Sequence, residues 1–144
     1  MSVASYAEEY SVSGTEFVAI GVASAKIKSV LKMLSIPSEL IRRAAVVSYE
    51  AEMNLVIHGG GGSMKMEIDS EGITIWSIDS GPGIADIEKA MTEGFSTASD
   101  NIREMGFGAG MGLPNIKRNS DDMKLESEVG KGTTLKAVIY LPKN

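Results

Sequence analysis

Ile73-Thr74-Ile75-Trp76-Ser77-Ile78-Asp79-Ser80-Gly81-Pro82-Gly83-Ile84 is the stretch on which the fold turns. Its first half is rich in β-branched and aromatic residues and reads as a buried strand, while Asp79 to Gly83 are turn formers that end it abruptly. Just upstream, Met64 to Asp69 is a second strand-like run, and Ser70-Glu71-Gly72 has the length and the glycine of a hairpin loop. The two strands therefore pair antiparallel.

Working outward, Gly59-Gly60-Gly61-Gly62 stops whatever precedes it, and what precedes it has helical periodicity from Ser38, a candidate N-cap, to about His58. Glu39 places an acid in its first turn, where the helix dipole favours one. Pro37 separates this helix from an earlier one, Glu16 to Leu34, whose apolar positions Phe17, Ile20, Val22, Ala25, Ile27, Val30, Leu31 and Leu34 recur at mixed steps of three and four. Ala7 to Ser13 alternates weakly and reads as an edge strand. Downstream, Ile84 to Met91 is expected to be mainly helical, followed by a glycine-punctuated loop up to Gly112 and a short helix from Leu113 to Asn119. Met123 to Glu128 and Thr133 to Leu141 form a last strand pair around Gly130-Lys131-Gly132.

Two long helices, then strand pairs with one more helix between them, describe an α+β two-layer sandwich with helices on one face of a mostly antiparallel sheet. The other face of its four-stranded core is left comparatively exposed. A dinucleotide-binding fold is disfavoured, because no glycine-rich turn joins a first strand to a crossover helix.

With 144 residues, 43% of them hydrophobic, the chain has the size and apolar content of a single domain spanning 1–144. The lack of cysteine excludes disulfides and thiolate metal sites. A soluble protein in the cytoplasm is expected, since no signal-like segment is evident and the apolar run from Ile41 to Ile57 is broken by Arg42, Arg43, Glu50, Glu52 and Asn54. A net charge of −5 argues against nucleic acid as a direct partner, which needs clustered Lys and Arg. No membrane association is expected either.

Three constellations carry chemistry. Glu50 and Asn54 stand four apart, so both project from one helix face, and a carboxylate with an amide oxygen is a hard donor pair suited to Mg²⁺. Tyr49, Met53, Val56 and Ile57 surround the pair with apolar residues, which fits a site better than a merely solvated face. His58 continues the stripe, but a lone histidine is more often a packing residue than a ligand. Asp79-Ser80-Gly81-Pro82-Gly83 puts a hydrogen-bond acceptor at a strand end beside glycines that allow close backbone approach, a combination suited to adenine, although a plain turn uses the same residues. Gly106-Phe107-Gly108-Ala109-Gly110-Met111-Gly112-Leu113 leads glycines into a helix start, exposing N–H groups to phosphate; it lacks the Lys-Ser/Thr ending of a P-loop.

In this order, Glu50-x-x-x-Asn54, Asp79-x-Gly81-x-Gly83, Gly108-x-Gly110-x-Gly112-Leu113 and Gly130-x-Gly132-Thr133-Thr134 resemble the motifs of the GHKL ATPase and kinase superfamily. The resemblance covers about Tyr10 to Leu141 and is most similar to its anti-sigma factor and serine/threonine switch-kinase branch. It implies that Asn54 coordinates Mg²⁺ and that Glu50 is catalytic, as general base or water-orienting carboxylate. Asp79 would bond the adenine amine, Gly81 and Gly83 would shape the base pocket, and Thr133 would sit near adenine. Gly108, Gly110, Met111, Gly112 and Leu113 would line the phosphates, with a lid over about 94–112. Arg103 stands further before the Gly-Met-Gly run than the arginine of typical anti-sigma relatives. The implied cofactors are ATP and Mg²⁺. The implied function is a regulatory serine/threonine protein kinase acting on a small STAS-type antagonist protein, the alternative being an anti-sigma factor or partner-switching module with little turnover. A sigma factor and a homodimer are further partners this reading allows. A detached histidine-kinase domain fits less well, because the sole histidine, His58, lies within the nucleotide motif.

Overall fold

The computed structural model describes residues 6–14, 20–84, 91 and 112–142. In chain order these form strand β1 (Tyr6–Ser13), helices α1 (Val22–Met33) and α2 (Ser38–Ile57), strands β2 (Gly61–Ile68) and β3 (Gly72–Asp79), helix α3 (Gly112–Asn119), and strands β4 (Asp122–Glu128) and β5 (Gly132–Tyr140). Residues 85–90 of the helix expected over 84–91, and all of the lid except its last position, Gly112, lie outside the described residues.

The five strands make one sheet in the order β1-β2-β3-β5-β4, every neighbour antiparallel. Alternation decides which side is covered. Met64, Met66 and Ile68 of β2, Ile73 and Ile75 of β3, and Leu135, Ala137 and Ile139 of β5 all point to one face and are buried. Over them α2 lays the stripe Leu40, Ala44, Val47, Ala51 and Leu55, spaced for one helix face. Flanking α2, α1 adds Ile27 and Leu31, and α3 adds Ile116. Burying one such large aliphatic side chain contributes about 1.5–3 kcal/mol.

The opposite face has no helix on it among the described residues. Trp76 belongs there and is only partly buried, so among the described residues β3 is covered by helices on one side, short of the fully buried strand its composition suggests. Its indole Nε1 donates to Glu67 at 2.7 Å, and Lys136 Nζ lies 5.1 Å from the ring centroid.

Two helix boundaries differ from expectation. Of the helix expected over Glu16 to Leu34, residues 16–19 lie outside the described residues; α1 itself begins at Val22, because Gly21 holds φ = +103°, a left-handed conformation that a right-handed helix cannot continue through. At the start of α2, Pro37 holds the N-cap position with extended geometry, and no side chain caps the helix, so Ser38 is its first residue instead of its cap. The glycine run does stop α2, with the N–H groups of His58 and Gly59 both donating to Asn54 O. Half of that run then enters the sheet, where Gly61 pairs with Ser13 and Gly62 with Val12. A Cβ on Gly61 would stand 2.7 Å from Val12 O, which explains why β2 begins three residues early.

Arg43 ties the helical layer together. Its Nε donates to Asn119 O at the end of α3, and its Nη2 pairs with Asp121 Oδ1, both at 3.1 Å. Burial alone pushes the Asp121 carboxyl up, but the Tyr140 N–H and the Arg43 guanidinium outweigh it and hold the group below the usual carboxylate value.

Candidate functional site

Glu50 and Asn54 sit in the second half of α2, on the side that meets α3. The first residue of α3, Gly112, packs against both: a Cβ there would lie 3.1 Å from Asn54 Oδ1 and 3.5 Å from Glu50 Oε1. Any side chain there would have to push the Asn54 amide back by a few tenths of an ångström. The first turn of a helix carries unpaired N–H groups and the positive end of its dipole, so an oxyanion-favouring end is brought directly over a carboxylate and a carboxamide.

Glu50 is also held from α3. Asn115 Nδ2 donates to Glu50 Oε2 at 3.1 Å, and Arg118 Nη2 donates to Asn115 Oδ1 at 2.6 Å. Because Arg118 occupies the amide oxygen, the amide nitrogen faces Glu50, which leaves Oε1 directed toward the Gly112 end. Asn115 was missed by sequence reasoning. Its only signal is that it follows Gly112 by three residues and so shares that helix face.

At the end of β3, Asp79 Oδ1 accepts from Gly81 N at 2.9 Å and Thr133 N at 3.3 Å, consistent with Asp79 and Thr133 being paired across β3 and β5. Its second oxygen, Oδ2, has no hydrogen-bond donor among the described residues. Gly59 lies against this carboxylate, since a Cβ there would be 2.8 Å from Oδ2. Gly81 in turn lies against Gly59 O. The end of α2 and the end of β3 are thereby stitched together by glycines, which joins the Glu50 and Asn54 region to the Asp79 region.

The turn after Asp79 is clamped to the β4–β5 loop. Ser127 Oγ and Thr133 Oγ1 share a hydrogen bond at 2.8 Å, Ile84 N donates to Ser127 Oγ at 2.7 Å, and Gly130 N donates to Pro82 O at 2.8 Å. Gly83 is left-handed, with φ = +78°, and rests on Glu128. Ser127 had no signal in the sequence, because its role depends on the register of β4 with β5. Thr133, Gly81 and Gly83 are thus gathered at one place with Asp79.

Leu113 packs half-buried against the core, anchoring α3. Gly108, Gly110 and Met111 lie outside the described residues. His58, next to the glycine run, is depressed below its ordinary value by burial. Glu52, two residues beyond Glu50, faces away from this region and is 2% exposed. It accepts from Ala23 N and Ser24 N at 3.2 and 2.9 Å, and so caps α1.

An antiparallel sheet under one helical layer, with a carboxylate and a carboxamide meeting a glycine-fronted helix start, is the framework of an ATPase-type nucleotide domain. The chain belongs to the histidine kinase-, DNA gyrase B- and HSP90-like ATPase family, whose model matches residues 40–144. It is 36% identical over 96 residues to the serine/threonine-protein kinase RsbT of Bacillus subtilis (strain 168), covering 64% of this chain and 66% of that one. It is 39% identical over 97 residues to the anti-sigma F factor of Thermoanaerobacter sp. (strain X514), covering 64% of each. Its match to these curated relatives thus spans just under two thirds of their length. The anti-sigma F factor of Caldanaerobacter subterraneus is 30% identical over 118 residues, 82% of this chain and 75% of that one. The crystal structure of the SiaB-SiaC complex from Pseudomonas aeruginosa contains the same fold, with a TM-score of 0.59 at 13% identity over 92% of this chain and 88% of that one. The family and the relatives imply ATP as the ligand class.

Proposed function

We propose that this chain is an ATP-dependent regulatory serine/threonine protein kinase whose substrate is a small STAS-type antagonist protein. The observation that carries the reading is Glu50, held by Asn115 with its other oxygen beside the Asn54 amide and the start of α3. Similarity to a serine/threonine-protein kinase and to anti-sigma F factors supports a partner-switching role.

In the proposed reaction Glu50 takes the proton of the acceptor hydroxyl as its oxygen bonds to the γ-phosphorus. The bond from that phosphorus to the β,γ-bridging oxygen breaks, and ADP leaves. Asn54 Oδ1 and Glu50 Oε1 are hard oxygen donors on one face, a set that fits Mg²⁺, with Asn54 as the ligand. When bound, Mg²⁺ supplies charge neutralisation on the phosphates. Asp79 would accept from the adenine amine through Oδ2, the oxygen its backbone bonds leave over, while Gly81, Gly83 and Thr133 surround the base. Gly108, Gly110, Met111 and Gly112 would contact phosphate, with Leu113 securing the helix behind them.

Glu50→Gln keeps size and most polar contacts, so ATP affinity by titration calorimetry should stay within a few-fold. Radiolabel transfer to STAS-type proteins of the same cell should fall by roughly 10²-fold or more. Transfer as fast as the parent's would remove Glu50 as the base. A parent that binds ATP but never transfers phosphate would instead favour an anti-sigma module, the reading that the anti-sigma F relatives support.

A further inference from the structure

Between α1 and α2 runs a groove of about 520 Å³ that reaches Glu50 at one end. Its floor is the outward strip of α2, where Ala45 and Val46 are small enough to admit another backbone and Tyr49 adds an exposed ring. Its walls are basic. Lys28 and Lys32, one turn apart on α1, line it together with Arg42 of α2. Among the described residues none of these three cations has an ion pair, and Glu50 is the only acid lining the groove. On a chain of net charge −5, this is a local positive strip over an apolar floor.

We infer that this groove docks the acceptor segment of the protein substrate, and that it selects a segment with acidic residues set back from the serine or threonine. The inference rests on the proposed role of Glu50. Three cations over an apolar floor suit carboxylates on a partly apolar peptide; a nucleic-acid backbone would need a longer basic track and no carboxylate in its path. The spacing follows from helix geometry. Arg42 and Glu50 are eight residues apart on one helix, about 12 Å along its axis at 1.5 Å per residue. An extended peptide covers that in about four residues at roughly 3.3 Å each. The segment therefore carries Asp or Glu about four residues from the acceptor hydroxyl, with an apolar side chain between them over Val46 and Tyr49.

The test uses fluorescein-labelled synthetic peptides and the full chain, read by anisotropy. One set has a central serine, a leucine and a Glu pair about four residues before or after the serine; the controls have Lys in place of Glu, or the Glu pair moved next to the serine. At least one order of the spaced Glu peptide should bind roughly tenfold or more tightly than both controls, and weaken with added salt. Lys28→Glu combined with Lys32→Glu should remove that preference, as should Arg42→Glu on α2. Both variants should keep the parent's melting temperature and Mg-ATP affinity, since these side chains are exposed and outside the nucleotide site. Acidic-peptide binding that survives both variants, equal binding of the Lys peptide, or equal binding of a dT oligomer would overturn the inference. Loss of Mg-ATP binding by the parent would overturn the kinase reading separately.

Discussion

Glu50 differs from an ordinary helix carboxylate in being gripped on one oxygen and, among the described residues, without a hydrogen bond on the other. The grip comes from Asn115, whose own amide is oriented by Arg118. On the proposed role of Glu50, Asn115 would act as a positioning residue rather than a catalytic one, and groups of that kind typically govern a 10–100-fold share of activity. Asn115→Ala should lower the transfer rate by roughly tenfold while the ATP dissociation constant stays within a few-fold. An equal fall in affinity and rate would place Asn115 in nucleotide binding instead. His58 has a different signature. Because burial lowers its pKa from the ordinary 6.5, the folded chain binds fewer protons than the unfolded one between the folded value and 6.5. Stability is therefore level above 6.5 and falls as the pH drops through that window. His58→Gln should flatten the fall in melting temperature as the pH drops below the ordinary 6.5; a slope as steep as the parent's would show that His58 does not titrate on unfolding.

At the scale of elements, α1 begins without a cap of its own. Gly21 offers no side chain, and the vacancy is filled from α2, where Glu52 accepts the N–H groups of Ala23 and Ser24. A negative charge at a helix start is favourable, and its burial here is sustained by two hydrogen bonds. Glu52→Ala would leave two buried donors unpaired beside a void, so a loss of about 2–4 kcal/mol in urea unfolding is expected. Glu52→Gln, which keeps one acceptor oxygen, should lose about half as much. A loss from the alanine variant within the ±0.5 kcal/mol typical of surface positions would show that α1 is capped by other means. Since α1 carries Lys28 and Lys32, the same residue fixes the wall of the basic groove.

For the whole molecule, the family match begins at residue 40, yet the core does not. Ile27 and Leu31 of α1 are fully buried, and Tyr10 of β1 packs with them against α2 and β2. Removing two such aliphatic side chains costs about 2–5 kcal/mol each, against a total stability of 5–15 kcal/mol for a typical domain. A fragment of residues 40–144 should therefore lack a cooperative thermal transition and show collapsed amide dispersion in a proton–nitrogen spectrum. A folded fragment would mean that β1 and α1 are accessory. No helix among the described residues is long and apolar enough to cross a membrane.

Local chemistry made much of this legible from the chain alone. Strand-like composition bounded by turn residues marked β2 and β3, period-two alternation marked β4 and β5, the four-residue step put Glu50 and Asn54 on one face, and glycine runs marked where α2 had to stop and where backbone had to come close. These are properties of neighbours in sequence, and the ordered motifs added the family. What the tertiary structure alone decided depends on partners far apart. Glu52 caps a helix 28 residues away, Asn115 reaches Glu50 across 65 residues, and Ser127 meets Thr133 only through strand register. The outward face of Trp76 belongs to the same class, because composition identifies a strand while only packing tells which of its two faces the helices cover. A hydrogen bond between distant residues leaves no period in the sequence, since either partner alone is an ordinary polar residue until the fold brings the second to it.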